Sequence, residues 1–300
     1  MKVGIIGLGN IAQKAYLPVF AGLRDVELHL CTRNKEKLNL LSEKYRFQHV
    51  HEHVEELIAS GIDCAFVHSA TSSHYEIVKQ LLERRIPVYV DKPITDRIEE
   101  TEELTTLAEQ QEVLLMTGFN RRFAPRYQAL KEVADVNMIV MQKNRSGQPG
   151  EARTFVYDDF IHVLDTVRFL LDAKVENMQV HPVWKGELLA ALTVQFEAAG
   201  KTATAIMNRD SGVNEEVVAV YAPDGKRVVE QVTEWTHYSG TDKTACRFSD
   251  WDTTLYKRGF EPIIQAFLAA VRDGEKEPID LWDAFETHRL AEEILLKLMD

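Results

Sequence analysis

The stretch KVGIIGLGNIA, residues 2–12, joins an apolar run to a glycine turn and then to a helical pattern. Gly7, Gly9 and Ala12 have the G-x-G-x-x-A spacing of a dinucleotide-binding turn. Gly7 permits the tight turn, and Gly9 lets the backbone approach a pyrophosphate. A glycine turn is common by itself, but at the start of a βαβ unit it favours dinucleotide binding over a purely structural turn.

The chain downstream of this turn changes character once. Up to about residue 120, short apolar runs alternate with helical patterns, which is typical of a parallel α/β sheet. Between about residues 175 and 238, strand-like runs follow one another without helices, which indicates an antiparallel sheet. Residues 239–258 are expected to form a loop before two closing helices. We therefore predict an α/β protein with a Rossmann dinucleotide-binding domain at 1–120 and a second α/β domain at 121–300.

Composition excludes several classes of partner. The 300 residues include 35 Lys and Arg against 47 Asp and Glu, a net charge of −12, which argues against non-specific binding to nucleic acid or anionic membranes. Cys31, Cys64 and Cys246 are widely spaced, so neither a disulfide framework nor a zinc knuckle is indicated. The N-terminus is a poor signal peptide, and no apolar run approaches a membrane span. We expect a soluble, cytoplasmic protein.

The end of the second predicted strand bears on the choice of dinucleotide. An NAD-preferring site ends this strand with Asp or Glu, which accepts from the ribose 2′-OH. Here the strand ends CTRN, and Thr32 and Arg33 offer a hydroxyl and a guanidinium for a 2′-phosphate. The alternative is an exposed loop arginine. The pattern favours NADP(H) over NAD(H).

Other candidate contacts follow the glycines and the next strand. Ser69 and Ala70 end the strand-like run CAFVHSA and Thr71 follows it, on the expected cofactor side of the sheet, and His74 opens the following helix. The alternative for this turn is ordinary helix capping by Ser72 or Ser73. The remaining expected contacts within the glycine turn are Asn10 and Ile11.

A lysine ends another buried strand, in Asp91-Lys92-Pro93. Ligands bind at the carboxyl edge of an open α/β sheet, so Lys92 is either an amine aimed at a substrate or a solvated strand end. The residues alone leave both interpretations open.

A helical pattern, FVYDDFIHVLD at 155–165, places Asp158, His162 and Asp165 at i, i+4 and i+7, on one face. Asp158 and His162 suit acid–base chemistry, because imidazole titrates near neutral pH and a carboxylate orients it. Asp165 is expected to support this pair or to bind Arg168 at i+3. The alternatives are a helix-dipole role for the acids with a packed histidine, or a metal site, for which further ligands are lacking. We predict no metal.

Five motifs in this order resemble one family: GLGNIA, HSATSSHYEIV, VYVDKPIT, GFNRRFAP and YDDFIHVLD. The chain resembles the glucose–fructose oxidoreductase, myo-inositol dehydrogenase and rhizopine-catabolism (Gfo/Idh/MocA) family along essentially its whole length, most of all its MviM-type branch. The resemblance implies a second domain with an open, mainly antiparallel sheet that commonly mediates homodimers or homotetramers.

The resemblance also implies site residues. The family's E-K-P lysine matches Lys92, and its Asp-x-x-x-His pair matches Asp158 and His162. The segment containing Asn120 and Arg122 is placed beside the nicotinamide. The sequence departs from the family pattern at two places. Asp91, an expected cofactor contact, replaces the more usual Glu. The segment TFVYDDF replaces a glycine-rich segment before the Asp–His helix.

These expectations combine into a nicotinamide-dependent oxidoreductase that acts on a hydroxyl or carbonyl of a small sugar, polyol or related molecule. His162 would remove the hydroxyl proton, and Lys92 would bind the same oxygen and stabilise developing charge. Two rival interpretations stay open. One is a nucleotide-binding sensor or scaffold without turnover, and the other is a nicotinamide-dependent lyase or glycosidase that returns the hydride.

Overall fold

The computed structural model describes residues 1–274 and 277–299, and the chain divides into two compact units. The first unit joins Met1–Gly118 to Phe260–His288, and the second joins Phe119–Gly259 to the residues from Arg289 onward. The predicted division into domains 1–120 and 121–300 stays a prediction. Three residues of the predicted domain 121–300 lie outside the described part of the chain: Glu275, Lys276 and Asp300.

The first unit contains a six-stranded parallel sheet with the order β3-β2-β1-β4-β5-β6. Its strands are β1 (Lys2–Ile6), β2 (Glu27–Cys31), β3 (His49–His51), β4 (Cys64–Val67), β5 (Val88–Val90) and β6 (Leu115–Thr117). Strand order reverses between β1 and β4, and the crevice at such a reversal is where open α/β sheets bind ligands. The predicted Rossmann fold is confirmed.

Helices cover both faces of this sheet. They are α1 (Leu17–Phe20), α2 (Lys35–Tyr45), α3 (Val54–Ala59), α4 (His74–Glu83), α5 (Ile98–Gln111), α10 (Phe260–Asp273) and the first part of α11 (Leu281–Met299), with a π-helical segment at Ala12–Tyr16. The strands β4 and β5 are wholly buried, as expected for continuous apolar runs between two helical layers. On one face Phe66 packs edge-on against Phe20 and Phe267, with ring centroids 4.8 and 4.9 Å away.

The second unit contains an eight-stranded sheet with the order β14-β13-β12-β11-β7-β10-β9-β8. Its strands are β7 (Met138–Ser146), β8 (Asn177–Lys185), β9 (Leu188–Ala198), β10 (Lys201–Ser211), β11 (Glu215–Ala222), β12 (Gly225–Glu230), β13 (Glu234–Ser239) and β14 (Asp242–Cys246). Only the pairing of β7 with β10 is parallel among these strands. The predicted mainly antiparallel sheet is confirmed.

One expectation for this unit was wrong. Residues 239–258 are not simply a loop, because β14 pairs with β13 and a short helix follows. The strand β14, DKTAC, is exposed throughout, so it has no apolar alternation for a pattern to detect.

The helices of the second unit are α6 (Pro125–Lys131), α7 (Ala152–Thr154), α8 (Ile161–Leu171), α9 (Thr254–Lys257) and the rest of α11. A π-helical segment, Phe155–Phe160, precedes α8 and is called the π-turn below. No helix in the described part of the chain is both long and apolar enough to span a bilayer.

Candidate active site

Gly7 makes the turn at the end of β1. Its φ is +87°, and a Cβ there would overlap the backbone of Ser69. The amide of Gly7 donates to the Cys31 carbonyl at 3.0 Å, and that of His68 to the Ile6 carbonyl at 2.7 Å. These hydrogen bonds connect the turn to the ends of β2 and β4. Only glycine fits at position 7 of this turn.

Gly9 leaves the cofactor side of the turn open. A Cβ at Gly9 would have only the His68 carbonyl oxygen, 3.9 Å away, within 4 Å. The backbone here faces space that a side chain would otherwise fill, and the helix that follows presents its N-terminus to the same space. This cradle fits the pyrophosphate of a dinucleotide.

An open cleft of about 580 Å³ lies at this edge of the first sheet. Six predicted cofactor contacts line it: Gly7, Gly9, Thr32, Arg33, Ser69 and Ala70. Sequence reasoning missed other polar residues of its wall, namely Lys37, Glu52, His53, Glu55, His68, Ser72, Ser73, Glu76 and Gln80. Several of these come from the connection after β3, a three-residue polar strand that no hydrophobic period reveals.

The charges of the cleft are mixed near Arg33. Arg33 is exposed, and Lys37 lies in the first turn of α2, where its amide donates to the capping Asn34 side chain at 2.9 Å. Glu52 is paired with Lys35 at 2.9 Å. This pairing offsets the negative charge of Glu52, whereas Glu55 and Glu76 of the same wall leave the charge of the cleft mixed, with Arg33 and Lys37 as its cations.

The other predicted contacts of the first unit, Asp91 included, are not among the residues that line this cleft. Asn10 and Ile11 are exposed at the start of the π-helical segment, and Thr71 begins a short 3-10 turn. His74 is buried, and its ring nitrogens face the carbonyl oxygens of Pro93 at 3.0 Å and Ser69 at 3.1 Å. Burial lowers the pKa of His74, although the facing carbonyl oxygens favour its charged form, and the ring joins the turn after β4 to the segment after Lys92.

Asp91 lies within a buried polar network. It accepts from the Tyr16 hydroxyl at 2.8 Å and lies 3.1 Å from Nδ1 of His68, and a Cβ on Gly118 would approach its Oδ1 to 3.0 Å. Burial opposes ionisation of Asp91, but His68, Tyr16 and the charge of Lys92 outweigh it and lower its pKa. A carboxylate is therefore held beside the half-buried Lys92, at the carboxyl end of β5.

The second unit carries Asp158 and His162. Asp158 is exposed in the π-turn, and His162 is half-buried in the first turn of α8. The expectation of one regular helix needs correction, because Asp158 lies in the π-turn and His162 in the α-helix that follows it. Such π-helical turns occur frequently at functional sites.

Asp165, the third residue of the expected stripe, is fully buried and paired with Arg122. The Arg122 guanidinium donates to both carboxylate oxygens at 2.6 to 3.1 Å. Asn120 donates from its side chain to the Arg258 carbonyl at 2.8 Å. The two predicted cofactor contacts of this unit, Asn120 and Arg122, therefore also fix the 3-10 turn Asn120–Phe123 to its surroundings.

One further cluster, Glu27, His29 and His49, brings potential metal-ligand atoms within 4.8 Å of one another. The His29 and His49 rings are stacked, with centroids 4.5 Å apart and planes 13° from parallel. One ion cannot lie in both ring planes at a bonding distance. The cluster is a hydrogen-bonded network, in which Nε2 of His29 lies 2.8 Å from Glu27.

Comparisons with known proteins agree with this architecture. The model of an oxidoreductase family with an NAD-binding Rossmann fold, GFO_IDH_MocA, matches residues 1–119, and that of a YceM-like C-terminal domain matches residues 125–239. The protein YceM of Salmonella typhimurium is 33% identical over 91% of this chain and 90% of its own. The crystal structure of an MviM dehydrogenase from Clostridium difficile has a TM-score of 0.92 at 30% identity and covers 99% of each chain.

A more distant relative has a named substrate. The myo-inositol dehydrogenase Hyg17 of Streptomyces leeuwenhoekii is 28% identical over 58% of this chain and 57% of its own.

Proposed function

This chain belongs to the Gfo/Idh/MocA family of nicotinamide-dependent oxidoreductases, and from that premise we propose that it transfers hydride between NADP(H) and a hydroxyl or carbonyl carbon of a small sugar, polyol or related molecule. The observation that supports this most strongly is the glycine cradle at the strand-order reversal, which opens into a cleft lined by Thr32, Arg33 and Lys37.

The preference for NADP(H) rests on the end of β2. The carboxyl end of the strand, CTRN, lacks a carboxylate for a ribose 2′-OH, and Thr32, Arg33 and Lys37 line the cleft there. A guanidinium binds a phosphate through charge-assisted hydrogen bonds. The ratio of NADPH and NADH dissociation constants measures this preference.

The catalytic residues that we propose are Lys92, Asp158 and His162. His162 accepts the hydroxyl proton during oxidation, Asp158 orients the imidazole and stabilises its charged form, and Lys92 donates to the substrate oxygen. A bound nicotinamide supplies the hydride acceptor. Asp91 stays ionised, because His68, Tyr16 and the charge of Lys92 lower its pKa, and so it places a negative charge beside Lys92.

The substrate class follows from the family and from one named relative, Hyg17, which is a myo-inositol dehydrogenase. Sugars and polyols present secondary hydroxyls, which suit a lysine donor and a histidine base. We also propose a cytoplasmic homodimer or homotetramer assembled through the C-terminal sheet. Sedimentation of the purified protein, beside a variant with charges on the open sheet face (Val140→Glu), tests the assembly.

Turnover tests the proposed activity. The wild-type protein, supplied with NADP+ and a panel of sugars and polyols, should increase the absorbance at 340 nm. Lys92→Met and His162→Asn should each lower kcat by about 10²- to 10⁴-fold while NADPH still binds. An exposed variant, Lys14→Met, serves as the matched control.

Other outcomes of this screen point elsewhere. Substrate consumption without net change at 340 nm would indicate a lyase or glycosidase that returns the hydride. Tight NADPH binding with no consumption of any substrate would favour a sensor or scaffold.

A further inference from the structure

Lys143 is a buried charge that the proposed chemistry does not use. It lies on β7, its side chain is 3% exposed, and its ammonium forms an ion pair with Asp159 of the π-turn. A buried ammonium is unfavourable unless it is paired and hydrogen-bonded. Separating Lys143 from Asp159 would therefore be unfavourable, because it would leave the buried ammonium unpaired.

A second cation of the same strand completes the hold on Asp159. Nε of Arg145 donates to Oδ2 of Asp159 at 3.3 Å, and Nη2 of Arg145 donates to Oδ1 at 3.4 Å. Burial opposes ionisation of Asp159, but Lys143 and Arg145 hold its pKa well below the usual range. The carboxylate stays charged, and both of its oxygens are bound to β7.

Lys143 faces a carboxylate on the neighbouring strand. Glu216 of β11 lies opposite Lys143 in the sheet register, so the two side chains share a face. Glu216 accepts from Arg121 at 2.6 and 2.7 Å and from the Tyr127 hydroxyl at 2.9 Å. The positive charge of Lys143 is therefore attracted by Glu216 as well as by Asp159, and Glu216 is itself bound by Arg121 and Tyr127.

The consequence concerns the neighbour of Asp159. Asp158 precedes it in a π-turn that continues directly from α7, and His162 follows in the next helical turn. Attaching Asp159 to the sheet fixes the rotation of this turn about its axis, and hence the direction of Asp158.

We propose that Lys143, together with Arg145, is a positioning residue that clamps Asp159 to the sheet and thereby fixes Asp158 and His162 for catalysis. The inference rests on the proposed function of Asp158 and His162. We call the Lys143–Arg145–Asp159 arrangement the clamp.

The test separates positioning from stability. A lone Lys143→Gln change leaves a buried carboxylate with weaker partners and can unfold the unit, whereas replacing a buried ion pair with apolar residues is often neutral for stability. We therefore use the double variant Lys143→Met/Asp159→Leu beside Lys143→Arg, which retains the charge. Lys185→Met, which breaks the exposed Lys185–Asp210 pair of the same sheet, is the control.

Two readouts decide the proposal. Amide hydrogen exchange of residues 155–162 should be about tenfold faster in the double variant and unchanged in the control. The kcat of the double variant should fall about 10- to 100-fold, while KM and NADPH affinity change little, and Lys143→Arg should retain most of the wild-type rate.

The results that overturn the clamp are equally specific. Unchanged exchange at 155–162 in the folded double variant would show that the turn does not depend on it, and an unchanged kcat would show that positioning does not matter. Hydrogen exchange is measured without turnover, so it tests the clamp even if the wild-type protein oxidises no substrate. A lack of oxidation would count against the proposed function and not against the clamp.

Discussion

Gly7 is needed both for the backbone conformation of the turn and for access of the cofactor to it. Its φ of +87° and its approach to Ser69 leave no room for a side chain. We predict that Gly7→Ala costs more than the roughly 1 to 2 kcal/mol of a left-handed residue, because the turn must also move, and that it abolishes NADPH binding. Urea unfolding and fluorescence titration measure the two effects.

The control for this change is Gly61→Ala. Gly61 belongs to the same unit and has a φ of +73°, but a Cβ there would meet nothing within 4 Å. The Gly61→Ala variant should lose about 1 to 2 kcal/mol of unfolding free energy, from the left-handed backbone conformation alone, and should keep its affinity for the cofactor. Equal losses of NADPH binding in both variants would contradict the role given to Gly7.

At the scale of elements, buried ion pairs connect the strands to the turns. Burial opposes ionisation of Glu216, but Arg121 outweighs it and lowers the pKa of Glu216 from 4.5 to about 2. A carboxyl with a depressed folded-state pKa stabilises the protein above its unfolded pKa, and this contribution, on the order of 3 kcal/mol, is lost as the pH falls from about 4.5 towards 2.

Glu216→Gln tests this dependence. The difference in unfolding free energy between the wild-type protein and the variant should be largest near pH 7 and should shrink as the pH falls below about 4.5. Urea titrations between pH 7 and pH 3 measure it. A difference that stays constant over this range would mean that Glu216 does not titrate as described.

A second element-scale prediction concerns Lys143. Burial first, and then the positive charge of Arg121, lower the pKa of Lys143 to about 7, against the attraction of Asp159 and Glu216. The ammonium loses its proton as the pH rises through this value, so the clamp should weaken and kcat should fall on the alkaline side. Lys143→Arg keeps its charge and should lack this alkaline decrease in the pH–rate profile. If kcat decreased identically at alkaline pH in the wild-type protein and in Lys143→Arg, the decrease would belong to another titrating group.

At the scale of the whole molecule, the sequence predicts what is local and misses what depends on topology. The glycine turn and the lysine after β5 are contiguous motifs, and both lie where they were expected, at strand ends. The partners of Asp165 and Glu216 are Arg122 and Arg121, which lie 43 and 95 residues away along the chain. No helical or strand period relates such positions.

Two other features left no pattern to detect. The π-turn forms without any change in composition, so the apolar spacing around Asp158 reads as an ordinary α-helix. The polar strand β3 places Glu52 and His53 in the cleft, although its residues HVH carry no strand signal.

The central claim is that the first unit binds NADP(H) through the cleft beside Gly7 and Arg33. The measurement is a fluorescence titration of the cofactor-free protein with NADPH and NADH, beside Arg33→Ala and the exposed control Arg24→Ala. We expect NADPH to bind more tightly than NADH, with a loss of about tenfold or more for NADPH alone in Arg33→Ala and none in Arg24→Ala. Tighter binding of NADH, or binding of neither nucleotide, would contradict the account.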